Sequence, residues 1–159
     1  MNWNDIYTKN KKLDDIFYQK FKDDDKMFEK NCIELLVEIA EFANESRCFK
    51  YWSNKPMKKE ETLEELADCI MMSLYFFNYL NVDKVNIKMY NFSSDILICL
   101  NDIFKLSTLL IDNINEEIIT KIFSYLIYIG NLLNLEEKEI YEACLKKIKK
   151  QEKRLEEGY

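Results

Sequence analysis

A chain of 159 residues, 48% of them hydrophobic, is long enough to enclose one core and too short for two comfortable ones. Two glycines and one proline are too few for the tight turns of a sandwich or barrel, so the composition points to an all-α domain with short polar connections. A net charge of −6 with no broad basic patch argues against nucleic acid as a main partner, and the absence of histidine removes Ser-His-Asp and Cys-His nucleophiles, the usual zinc sites and di-iron centres built on Glu-x-x-His.

Apolar residues recurring at intervals of three and four predict six helices, at 3–21, 25–47, 59–80, 94–111, 116–133 and 136–156. The opening MNWNDIYTKNKK is polar where a signal peptide needs an apolar core, and the apolar runs fall short of the roughly 18 to 20 residues of a membrane span, so a cytoplasmic protein without a membrane partner is expected. After the second helix comes the linker YWSNKP, ended by Pro56. Thr62 and Glu65 have capping-box spacing for the third helix, Ser93 or Ser94 is placed to cap the fourth, and Asn115 stands before EEII at the start of the fifth. Between the third and fourth helices NVDKVNIKMYNF alternates only in part and is read as a loop. The final CLKKIKKQEKRLEEGY, taken by itself, is the solvated face of the last helix. Five cysteines, at 32, 48, 69, 99 and 144, never form a CxxC pair and are expected to be small core residues.

The second helix carries an anomaly. At about 100° per residue, Glu34, Glu38, Glu41 and Glu45 share an arc of roughly 60°, while Ile33, Leu35, Leu36, Val37, Ile39, Ala40, Phe42 and Ala43 spread over the rest. Such a helix is expected to be central, with one acidic stripe. The third repeats the pattern: Glu61, Glu64, Glu65 and Asp68 lie within about 100°, among Leu63, Leu66, Ala67, Cys69 and Ile70. One reading is that both stripes simply face solvent. The other is that they line a shared crevice, where like charges have raised pKa values and repel unless a multivalent cation neutralises them. Magnesium suits that place, because it takes carboxylate oxygens and keeps positions for water and phosphate. Glu38 and Glu41 form an ExxE pair and Glu65 and Asp68 an ExxD pair. The i, i+3 step puts both acids of each pair on one face, about 5 to 6 Å apart at Cβ. Either pair alone says little; two in order on neighbouring helices say more.

ELLVEIAEFANESRCFKYWSNKP followed by LEELADCIMMSL resembles the dimeric, all-α dUTP diphosphatases of some bacteria and phages, within the MazG-like nucleotide pyrophosphohydrolase superfamily. ANESRCFKYWS is its most specific part. NKKLDDIF is similar to the family's N-terminal Gln-x-x-Leu-Asp element, and KKIKKQEKRLEEGY to its last motif, which also ends in Gly-Tyr. Residues 85–135 match only in being helical.

The resemblance implies one domain over residues 1–159, a homodimer, and Mg²⁺-dependent hydrolysis of dUTP to dUMP and pyrophosphate. Apolar ILICLNDIFKLSTLLI and IITKIFSYLIYIGNLL, on helices four and five, are compatible with a dimer interface. Carried over, Glu38, Glu41, Glu65 and Asp68 are metal ligands, and Glu38 or Glu41 orients the attacking water. Lys50, Lys147 and Arg154 bind the triphosphate; without the resemblance they are ordinary surface cations. Trp52 either stacks near the base or is a core tryptophan, Phe49 is packing, and Asn44 hydrogen-bonds a ligand or another helix. Asn10 stands where the family has a uracil-reading glutamine, Gln151 and Ile148 where it tends to have asparagines, Met71 replaces a histidine and Cys69 a glycine. These departures fall on base recognition, which leaves dCTP or several dNTPs as alternative substrates. A helical interaction module docking a basic surface is the non-enzymatic alternative.

Overall fold

α3 (Lys59–Tyr79) is the axis around which the computed structural model, which describes residues 1–158, is built. It buries Leu63, Leu66, Ala67, Ile70, Leu74, Phe76 and Phe77 on several sides at once, because α1 (Trp3–Phe21), α2 (Met27–Ser46), α5 (Glu116–Leu132) and α6 (Glu137–Glu156) all pack against it. α4 (Ile96–Leu109) lies outside this ring, on α5 and α2. Among the described residues there is no strand, and every helix falls within two residues of its expected ends. Among the described residues no single helix is long and apolar enough to cross a membrane. Tyr159, the last residue of the terminal Gly-Tyr match, lies outside the described residues.

Two expectations about packing are corrected. α2 is not the central helix: it buries Cys32, Leu35, Ile39, Phe42 and Ala43 but leaves Ile33 54% and Val37 49% exposed, with Ala40 exposed as well. One of its faces meets α3 and α4, and Ile33, Val37 and Ala40 lie off that face. α5, conversely, does not offer surplus apolar surface. Ile119, Ile122, Phe123, Leu126, Ile127 and Ile129 are all buried within the chain, and of α4 and α5 it is α4 that exposes large apolar side chains, at Leu97, Ile98 and Leu109.

The helix starts show how the connections are held. Asn115 caps α5 as expected, its side chain accepting from the Ile118 amide at 3.0 Å. Asp95 caps α4 through the Leu97 amide at 2.8 Å, while Ser93 accepts from the Asp95 amide one step earlier, so neither serine is the cap. Thr62 caps nothing. α3 begins at Lys59, which puts Thr62 inside its first turn, buried, with its hydroxyl donating to Lys58 O at 2.8 Å and Glu45 O at 3.3 Å. That hydroxyl fastens the start of α3 to the end of α2.

The loop after α3 is pinned without a strand. Asn4 accepts from the Val85 amide at 2.8 Å and donates to its carbonyl at 3.3 Å, Tyr7 donates to Val82 O at 2.7 Å, and Phe92 lies against Tyr125. Gly130 lets α5 approach α3 and α6 closely, since a Cβ there would lie 2.7 Å from Ile140 Cδ1 of α6 and 3.0 Å from Leu66 Cδ2 of α3. The five cysteines are free; four are buried and Cys48 partly so.

Candidate active site

Leu35, Ile39 and Phe42 of α2 and Leu66, Cys69 and Ile70 of α3 are fully buried, which turns the intervening Glu38, Glu65 and Asp68 toward the edge of the helix pair. There all three are half-buried, and one carboxylate oxygen from each lies within 4.8 Å of the others. Glu41 is exposed and stands outside this trio, yet close enough for its charge to act on Glu38 and Glu65. The rest of the α3 stripe turns elsewhere: Glu61 pairs with Lys58 at 2.9 Å, and Glu64 with Lys150 at 3.2 Å.

The electrostatics follow from crowding acids into a partly dry place. Desolvation, then the charges of Asp68, Glu41, Glu34 and Glu65, push the Glu38 carboxyl up to about 7. Glu65 is raised by burial and then by Asp68, and Glu34 in the same way. Burial raises Asp68 too, against the pull of Lys147. Lys147, on α6, is hydrogen-bonded to Asp68 and lies 3.5 Å from Glu64, with only 14% of its side chain exposed. Burial works to discharge it, but Asp68 and Glu64 outweigh that and hold its pKa above the usual lysine value.

The donor set fits a hard divalent cation. It consists of carboxylate oxygens from two rigid helices, and the neighbouring Cys69 and Cys144 are buried thiols whose pKa values burial raises, so neither offers a thiolate.

Beside the cluster is a cavity of about 340 Å³ whose walls include Asn10 and Asp14 of α1, Glu34 of α2, Met71 and Tyr75 of α3, and Gln151 of α6. It is mostly apolar with a few polar groups, the usual make-up of a small-molecule site, and Glu34 joins it to the acidic stripe. Asn10 is 3% exposed and Gln151 half-buried, so both expected base contacts face one chamber. Asp14 is the aspartate of the stretch similar to Gln-x-x-Leu-Asp, to which the sequence assigns no role of its own, and its i+4 spacing from Asn10 places both on one helix face.

Lys50 and Trp52 sit apart from the core, on the turn after α2. Trp52 is 64% exposed, which rules out the core reading, and Phe49 is exposed against it, ring centroids 6.0 Å apart, rather than packed inside. Lys50 lies 5.9 Å from the Phe49 ring. Asn44 is exposed and donates to its neighbour Glu45 at 3.1 Å, so it does not satisfy another helix. The turn is closed by Arg47, a non-glycine residue at φ 59°, whose guanidinium donates to Lys55 O at 2.9 Å and Ser53 Oγ at 2.6 Å. Arg154 is exposed on the last turn of α6, beyond Lys147 and Gln151.

No curated protein and no solved structure matches the chain. The family model described as dUTPase does, over residues 2–159. Since that match leaves out only the first residue, the chain belongs to the dUTPase family and is an all-α hydrolase of dUTP.

Proposed function

We propose that this chain cleaves dUTP to dUMP and pyrophosphate at the edge of α2 and α3, with Glu38, Glu65 and Asp68 holding Mg²⁺ and Glu41 completing the set. The observation that carries this reading is the convergence of three half-buried carboxylates, raised in pKa, from two helices. When bound, the cation lowers the pKa of a water and neutralises phosphate oxygens. Glu38 or Glu41 orients the attacking water. Lys147, Lys50 and Arg154 bind the phosphates, the lysines as point charges and the arginine by its planar fork. Asn10 and Gln151 read the base in the adjoining cavity, and Trp52 offers an aromatic plane to it.

The enzyme works as a homodimer in the cytoplasm. α2 and α4 pack together, and each leaves aliphatic side chains half in water, at Ile33 and Val37 and at Leu97 and Ile98, which supports a self-complementary interface. The shorter side chain of Asn10 favours a second reading of specificity, in which dCTP or several dNTPs are also hydrolysed.

Pyrophosphate release from dUTP, dCTP and dTTP, with and without Mg²⁺, tests both parts. Expected is Mg²⁺-dependent turnover with dUTP preferred. Glu38→Gln and Asp68→Asn should each lose about 100-fold or more in kcat with helicity intact. Comparable rates on dUTP and dCTP would overturn the base assignment, and full activity in either variant would overturn the cluster.

A further inference from the structure

Asn10 is held in one orientation. Its side-chain nitrogen donates to Asp14 Oδ2 at 3.0 Å and to the Met71 carbonyl at 3.4 Å. Both amide hydrogens are therefore committed within the protein. Reversing the amide would place its oxygen against the Met71 carbonyl, which can only accept, so the network assigns nitrogen and oxygen. Asn10 Oδ1 is left on the wall of the 340 Å³ cavity as an acceptor and nothing else.

Set opposite N3, and not opposite the 4-amino group that cytosine would donate, an acceptor that cannot become a donor discriminates between bases. The Watson–Crick edge of uracil carries a hydrogen on N3, whereas N3 of cytosine carries a lone pair and repels a carbonyl oxygen. A neutral amide free to turn would satisfy either base. The Met71 carbonyl forbids the reversed amide, and the shorter bond to Asp14 holds the forward one.

We propose that Asp14 is a specificity-determining positioning residue, which acts by fixing the Asn10 amide so that the cavity accepts a base bearing an N3 hydrogen and rejects cytosine. Burial pushes the Asp14 carboxyl up to about 8, against a hydrogen bond from Asn78 and with help from Asp15. In its neutral form it still accepts from Asn10 through Oδ2, the oxygen that carries no proton, and it holds the amide without a charge that a phosphate or a cation would sense. Thymine shares the N3 hydrogen, so Asp14 separates uracil from cytosine and leaves the exclusion of a 5-methyl group to the cavity walls.

This inference rests on the reading that the cavity takes the base, and the test separates the two. The quantity measured is the ratio of kcat/KM for dUTP to that for dCTP, in wild type, Asp14→Asn, Asp14→Ala and Asp14→Leu. Asp14→Asn keeps an acceptor oxygen for Asn10 and should preserve the ratio within about twofold. Asp14→Ala removes it, and the ratio should fall by about tenfold or more, through a higher KM for dUTP and a lower one for dCTP with kcat little changed. Asp14→Leu fills the same space without an acceptor and should behave as the alanine variant does, which covers the case in which a cavity unfolds the latter. A purely structural role would lower both substrates in proportion. An unchanged ratio in a folded alanine or leucine variant, with dUTP still hydrolysed, overturns the role of Asp14 and leaves the cavity assignment standing. Loss of the ratio in Asp14→Asn also overturns it. A wild-type ratio near one overturns the cavity's reading of uracil and this inference together.

Discussion

Lys147 of α6 donates its ammonium to Asp68 of α3, so a protein cation already leans on the cluster that the proposed Mg²⁺ would share. Glu64, whose Oε1 lies 3.5 Å from the same ammonium and 3.2 Å from that of Lys150, gives Lys147 somewhere to retreat. A charge-assisted bond of this kind opposes a second cation at Asp68 until Lys147 lets go, and in the proposed reading the triphosphate would supply its alternative partner. Lys147→Met is therefore expected to bind Mg²⁺ alone about tenfold more tightly, while KM for dUTP rises about tenfold or more. Titration calorimetry without nucleotide, beside steady-state kinetics, measures the two effects. Weaker Mg²⁺ binding in the variant would show that Lys147 supports the cluster instead of competing for it.

Glu38 makes stability depend on pH. Its carboxyl titrates near 7 in the folded chain against a usual 4.5, so between those values the folded state binds a proton that the unfolded state has released. Native stability contributed by the protonated form is present at pH 5, declines as pH rises through that window, and is gone above about 7. Glu38→Gln removes this decline. Without metal, its melting temperature should exceed that of wild type by a margin that grows from pH 5 to pH 8, and Mg²⁺ at pH 8 should narrow the margin by raising wild type alone. Thermal denaturation across that range decides it, and a margin independent of pH would contradict the assignment.

Gly130 predicts a stability effect remote from the chemistry. A valine there must displace Ile140 Cδ1 and Leu66 Cδ2, both in the buried junction of α3, α5 and α6. Gly130→Val is expected to cost about 1 to 3 kcal/mol in urea unfolding, with kcat near wild type at low temperature. Wild-type stability in the variant would mean that the junction has slack.

The exposed aliphatic residues of α2 and α4 predict assembly. Sedimentation should find a species of twice 19.2 kDa at micromolar concentration, and Val37→Arg or Ile98→Arg should shift it to the single-chain mass. A wild type that stays at 19.2 kDa removes the dimer.

Helix periodicity carried most of this fold on the surface of the sequence, because a 3.6-residue repeat depends on neighbours only a turn away. What it could not convey was which apolar residue has a partner. Val37 and Ile39 are both aliphatic residues of one helix, yet Ile39 is sealed against α3 and Val37 is half in water. The same limit applies to the acids. Glu38 and Glu41 share a helical face, but only the packing of α2 on α3 brings the first toward Glu65 and Asp68 and leaves the second outside. Thr62 misled for a related reason: α3 starts with no side-chain cap at all, and the threonine that resembled one is spent bonding Glu45 O across the helix pair. Asp14 carries no local mark of burial, and Trp52 sits in an aromatic run that reads equally well as core or surface.

Arg47 shows how the rim of this site is prepared in advance. The left-handed backbone at Arg47 turns the chain sharply out of α2, and its side chain then reaches forward to Ser53 and Lys55, fastening the short bridge that displays Lys50 and Trp52. If Lys50 and Trp52 bind the nucleotide as proposed, it meets residues whose freedom was surrendered when the protein folded. Less of the binding free energy is then consumed in ordering the receptor, and more is left to hold the guest.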